Sequence, residues 1–205
     1  MALLHAAARL ALLLAALAAV PAIHAQDMRP DALVEKITGE VLEAIRKDKK
    51  LQAGDRERAL ALAEEKILPH VDFRRMTQLA VGKAWRSATP EQQEALTREF
   101  RGMIVRTYSN ALEAYRGQTL VVEPLKMAPG ETDVTVRNRY FNPGRQPVNV
   151  DYFMWKTPEG WKVYDIVVGG VSLVATYRPQ FEQVVRLSGI DGLIAALGQL
   201  NQRPL

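Results

Sequence analysis

The chain has 205 residues, 27 basic against 23 acidic, three histidines and no cysteine. That length suffices for one domain with a real core. The lack of cysteine excludes disulfides, thiolate zinc sites and a lipoprotein anchor, and a net charge of +4 without basic runs interleaved with aromatics gives no sign of nucleic-acid binding.

Residues 1–25 read as a secretory signal peptide. Arg9 opens a short charged region, Leu10 to Val20 is apolar, and Ile23-His24-Ala25 offers a small residue at the cut. The apolar run is too short to span a bilayer. This leaves a single exported, unanchored domain, 26–205, with 26 basic and 23 acidic residues once Arg9 is removed.

Pro30 to Lys50 predicts a helix with Leu33, Ile37, Val41, Leu42 and Ile45 on one face and a basic run at its C-terminal end, where cations suit the helix dipole. Gly54 breaks it. Asp55 caps a second helix to about Leu68, which Pro69 ends. A third, Val71 to Gly82, turns Phe73, Met76, Leu79 and Ala80 inward, and Trp85 follows in a link.

Thr89 to Gly117 is the longest stretch with a single period. Thr89 is the N-cap, Pro90 the first helical residue, Gln92 completes a capping box and Gly117 is the stop. Its apolar arc covers roughly 200°, twice what a surface helix needs. The helix is therefore central to the core, or it touches both a sheet and an apolar ligand.

Beyond Gly117 the period changes from 3.6 to 2. Strands are expected at Thr119 to Met127, Thr132 to Phe141, Pro147 to Thr157 and Trp161 to Val168, joined by Pro/Gly turns short enough to make an antiparallel meander. Large apolar groups occur on both faces: Val150, Tyr152 and Met154 alternate with Phe153 and Trp155. A sheet with one solvated face would alternate more cleanly, so the second face is covered by helices, curls around a ligand or meets a partner. Gly169-Gly170 closes the last strand. Helical sequence follows through Phe181 and Leu187, and Ser188 caps a final segment carrying Ile190, Leu193, Ile194 and Leu197. Helices first and strands later give an α+β domain.

The chemistry available is sparse. His70 is the only histidine outside the leader, which leaves no histidine-rich metal site and a poor basis for a serine triad. Gly170-Val171-Ser172-Leu173-Val174 lacks the second glycine of a nucleophile elbow, and Gly82-Lys83-Ala84 lacks the rest of a phosphate loop. Asp165, among Val163, Ile166 and Val167, is either a carboxylate with a raised pKa, acting with Tyr164 or Tyr177 in a small-molecule enzyme, or a structural acid paired with Arg137 or Arg139.

His70-Val71-Asp72-Phe73-Arg74-Arg75-Met76, Gly82-Lys83-Ala84-Trp85-Arg86, Thr89-Pro90-Glu91-Gln92, Phe100, Tyr108, Trp161-Lys162-Val163-Tyr164-Asp165 and Gly170-Val171-Ser172-Leu173-Val174-Ala175-Thr176-Tyr177-Arg178 resemble the MlaC family over nearly the whole exported chain. These are periplasmic phospholipid carriers of Gram-negative bacteria, also called toluene-tolerance auxiliary proteins. Thr176 departs from the asparagine often expected there.

The resemblance implies N-terminal helices packed on a curved antiparallel sheet of four or more strands, a shape related to nuclear transport factor two (NTF2-like), with C-terminal helices and an internal apolar lipid cavity. It implies no catalytic residue, metal or cofactor. The cargo is a diacyl phospholipid, exchanged by a monomeric shuttle with an inner-membrane ABC transporter bearing an MCE-domain subunit and with an outer-membrane lipoprotein–porin complex. On this reading the acyl chains lie against Phe73, Met76, Phe100, Ile104, Tyr108, Tyr140, Val150, Tyr152, Ile166, Val168, Val171 and Val174. Two acyl chains of about 30 methylenes would cost on the order of 24 kcal/mol to expose to water, so burial of the tails suffices. The headgroup is expected in solvent, with Arg74, Arg75, Arg106, Arg137, Arg139 and Arg178 docking acidic partners or pairing with carboxylates.

Overall fold

The computed structural model describes residues 28–108 and 118–202. The expected leader and the end of the long helix at Gly117 lie outside the described residues.

Helix α1, Pro30–Lys47, has proline in its first turn and Arg46 and Lys47 in its last. It stops three residues short of expectation because Asp48 turns extended and its carboxylate accepts from the amides of Lys50 and Leu51. Asp48 thus caps a separate one-turn helix, α2, Lys49–Gln52. Asp55 caps α3, Arg56–Lys66, through the amide of Arg58. A 3-10 turn, Leu68–His70, then carries Pro69.

Helix α4, Phe73–Val81, starts two residues later than expected. Val71 instead bridges Val163 of the sheet, and Asp72 both donates its amide to the Val163 carbonyl (2.8 Å) and caps the helix through the Arg75 amide. Gly82 (φ 65°) ends α4, where a side chain would strain the backbone. Helix α5 is Pro90–Tyr108. Its capping box is reciprocal: Gln92 donates its amide to Thr89 Oγ1 (3.2 Å) and Thr89 its own to Gln92 Oε1 (3.1 Å).

Five strands, β1 Thr119–Val122, β2 Asp133–Phe141, β3 Val148–Thr157, β4 Gly160–Val168 and β5 Val171–Ser172, form one antiparallel sheet in chain order. The first strand ends well before Met127 because Pro124 has no amide to continue the ladder. Gly169 and Gly170 do more than close β4. With φ of 57° and 85° they form a two-residue hairpin that pairs Val168 with Val171. Helix α6, Leu173–Gln202, breaks at Gly189 (φ 70°), one residue past the expected cap at Ser188.

The buried residues fall into separate clusters. Helices α4, α5 and α6 share Met76, Ala80, Leu96, Phe100, Val174, Phe181, Leu193 and Leu197 with Trp85, and the Phe100 ring meets Tyr177 and Phe181 edge-on at 5.4 and 5.3 Å. Leu33 and Val34 of α1 pack on Val134, Val136, Met154 and Trp161 of the sheet. No side chain of β1–β4 belongs to the helical cluster.

On the opposite sheet face, Arg75 of α4 lies 4.4 Å from the Trp155 ring centre and 4.0 Å from that of Tyr164. It pairs with Asp133 at 2.7 Å, which also accepts from the Tyr164 hydroxyl at 2.7 Å. Trp155 Nε1 donates to Asp72 at 3.0 Å. The aromatic groups of this face are thus held by the start of α4 through cation–π contact and hydrogen bonds.

Burial and the Asp133 bond push the Tyr164 phenol up from 10.0 to about 12. A raised folded pKa gives stability that is fully present below pH 10 and is lost as pH rises through about 12. Urea unfolding of Tyr164→Phe should therefore fall less steeply than that of the parent across this window. Parallel slopes would show that the phenol titrates alike in both states.

Candidate functional site

Register settles which strand residues share a face. Tyr140 pairs with Val148, Val150 with Asn138 and Val168, Tyr152 with Val136 and Ile166, and Val168 with Val171. Directly opposed residues point to the same side of a sheet. All six strand residues expected at the site, Tyr140, Val150, Tyr152, Ile166, Val168 and Val171, therefore form one contiguous patch. Val148 and Leu120, which pair with Tyr140 on the same face, were not among them. The signal for Val148 is the two-residue step back from Val150.

Cover over this face is unequal. At one end Val134, Val136, Met154 and Trp161 are sealed under α1. At the other, Val148, Val168 and Val171 keep 37%, 49% and 64% of their surface exposed. Tyr152 lies between. It is half-buried, and burial pushes its phenol pKa up.

The helical residues divide. Phe73, Met76, Phe100 and Val174 are buried within the helical cluster, packed by other protein side chains, and Ile104 lies at its margin. Tyr108, at the end of α5, is exposed and hydrogen-bonds to Tyr177, whose pKa burial and this bond raise.

Asp165 is a helix cap. Its carboxylate accepts from the Ile166 amide (2.8 Å), Ser172 Oγ (2.6 Å) and the Val174 amide (3.1 Å), while Ser172 Oγ accepts from the Ala175 amide (2.9 Å). The expected pairing with Arg137 or Arg139 does not occur: the start of α6 lies closer, and Arg139 pairs with Glu123 at 3.3 Å. Neither tyrosine proposed to act with it is bonded to it, since Tyr164 donates to Asp133 and Tyr177 engages Tyr108.

Arg178 also departs from expectation. It donates twice to the Leu79 carbonyl (3.1 and 2.9 Å), covering the C-terminal end of α4, where the helix dipole favours a cation. Arg74 donates to Gln93 Oε1 at 2.6 Å and lies 5.3 Å from the Trp85 ring centre. No group of three or more acidic, histidine or cysteine residues suited to a metal occurs among the described residues. No described helix is long and apolar enough to cross a membrane.

The MlaC protein family model matches residues 35–199. The chain is 26% identical over 142 residues to the intermembrane phospholipid transport system binding protein MlaC of Haemophilus influenzae, covering 68% of this chain and 66% of that one. It is 29% identical over 182 residues to the toluene tolerance protein ttg2D of Pseudomonas putida, covering 87% and 83%. A solved structure of a phospholipid-binding protein from Ralstonia solanacearum, in complex with a phospholipid, superposes with a TM-score of 0.77 at 39% identity, covering 85% of this chain and 97% of that one.

Asp165→Ala removes an acceptor shared by two backbone amides and a serine hydroxyl. It should lower unfolding free energy by about 1–3 kcal/mol, read by urea denaturation. An unchanged midpoint would remove the capping role.

Proposed function

The chain belongs to the MlaC family, and on that premise we propose that it is a periplasmic, non-enzymatic carrier of diacyl phospholipid. The observation that carries this reading is the largely apolar, contiguous sheet face, sealed at one end by α1 and, among the described residues, left exposed at the other. A soluble domain gains nothing from such a face unless something apolar fills it.

In this reading the tails enter over Val148, Val168 and Val171 and run toward the sealed end. Tyr140, Val150, Tyr152 and Ile166 contact them from the sheet and Ile104 and Tyr108 from α5, while Phe73, Met76, Phe100 and Val174 stiffen the helical wall. The headgroup stays at the open rim in water. Burial of the tails alone exceeds any contribution from a phosphate clamp, and a clamp would slow release through charge-assisted bonds of about 1.5–3 kcal/mol each. Transfer then needs no bond-making residue, only docking that opens the rim against a membrane-side partner. Those partners are an inner-membrane ABC transporter with an MCE-domain subunit and an outer-membrane lipoprotein–porin complex.

Organic extraction of natively purified protein, read by mass spectrometry, should release close to one diacyl phospholipid per chain. A lipid-free extract together with no uptake from vesicles would contradict the proposal. Val168→Trp should fill the open half of the face and lower lipid content while the far-UV circular dichroism and unfolding midpoint hold. Full occupancy in that variant would place the tails elsewhere.

A further inference from the structure

Three of the arginines expected to meet partners are committed within the fold: Arg75 to Asp133, Arg139 to Glu123 and Arg178 to the Leu79 carbonyl. Arg74 is not. With Arg98, Arg101, Glu94 and Thr97 it lines an open groove of about 490 Å³ between α4 and α5. Glu94, Thr97, Arg98 and Arg101 recur at steps of three or four residues and form one stripe of α5, with Arg74 across from them on α4. The groove carries three cations and one carboxylate.

Two of these cations are set in place by the core beneath them. Arg74 lies 5.3 Å from the Trp85 ring centre and donates to Gln93 Oε1 at 2.6 Å. Gln93 is itself oriented, because its Nε2 donates to the carbonyls of Trp85 (3.1 Å) and Ala88 (3.4 Å). Arg101 lies 5.7 Å from the Phe73 ring centre. Trp85 and Phe73 are buried in the helical cluster, so each guanidinium rests on a fixed ring and a ligand has less ordering left to impose. Their charge, by contrast, is weakly matched. Arg74 is paired with no carboxylate among the described residues. Arg101 meets the exposed Glu64 at 3.6 Å, and Arg98, itself exposed, meets Glu99 at 3.2 Å, pairs of the kind that water screens.

We propose that this groove is a docking site for an acidic peptide segment of a protein partner. Carboxylates are the complement of the guanidinium fork. A concave seat between two helices suits a stretch of chain, whereas the broad surface of a bilayer does not enter it. Glu94 opposes a uniformly anionic surface, yet it can accept from a peptide amide. Thr97 Oγ1, which donates to the Gln93 carbonyl at 2.7 Å, keeps lone pairs for a second amide. No strand residue lines the groove, so the seat is separate from the exposed valines of the sheet, and the proposal stands apart from the carrier reading.

The test is titration of a hexaglutamate peptide into the isotope-labelled protein, read at the arginine Nε–H signals by NMR. Those of Arg74, Arg98 and Arg101 should shift saturably, and less so at high salt. Arg74→Gln with Arg98→Gln should weaken binding roughly tenfold or more. Arg98 touches no ring, so Arg98→Glu alone, expected to weaken binding roughly fivefold or more at an unchanged melting temperature, reports even where loss of Arg74 disturbs the fold. Absence of saturable shifts, or equal shifts at the exposed Arg46 and Arg145, would overturn the proposal. So would inorganic phosphate that displaces the peptide at equal concentration, which would leave a simple anion site. Co-sedimentation with phosphatidylglycerol vesicles that Arg98→Glu abolishes, without peptide binding by the parent, would assign the groove to a membrane and overturn the choice of partner.

Discussion

The structure depends on one unequal match: a sheet face that is apolar except at Asn138, and a helix that covers only part of it. Leu33 and Val34 of α1 seal Val134, Val136, Met154 and Trp161. Among the described residues nothing equivalent packs on Val148, Val168 and Val171, which stay exposed. Exposing such groups to water is unfavourable by about 25 cal/mol per Å². The sequence sustains this cost along β3, β4 and β5 together, and an occupant that brings its own apolar surface removes it.

A domain that leaves part of an apolar sheet face exposed has to be held together elsewhere. Here α4, α5 and α6 form their own cluster, with Phe100 set against Tyr177 and Phe181. Polar ties then fasten this layer to the sheet's far side and edge. Arg75 is clasped by Trp155, Tyr164 and Asp133, Asp72 links Val163 and Trp155, and Asp165 holds the first turn of α6. These ties avoid the open half of the apolar face. The side chains that tie the layers together are thus distinct from the exposed valines of the inner face.

Much of this was legible because it is local. The Thr89–Gln92 box and the Asp55 cap involve residues three apart, and their sequence signal is the structure itself. The break at Asp48 was equally local but hidden, since a continuous apolar period runs across it. Strand β5 has only two residues, too few to display alternation. The identity of the inner face was not legible, because Phe153, Trp155 and Tyr164 make the outer face look like a second core. Their role depends on Arg75, which lies some 80 residues away in sequence. Asn138 stands between Arg137 and Arg139 and reads as one more polar strand residue. Only register puts it on the apolar side.

The central claim is that acyl chains occupy the open half of one sheet face. It is tested most directly by methyl NMR of the protein loaded with a phospholipid bearing a nitroxide on an acyl chain. The methyl signals of Val150 and Val168, which pair with each other on the inner face, should broaden strongly. Those of Val121 and Val167, paired with Arg139 and Asp151 on the opposite face, should persist. Comparable broadening of both pairs, or loss confined to Val121 and Val167, would contradict the account.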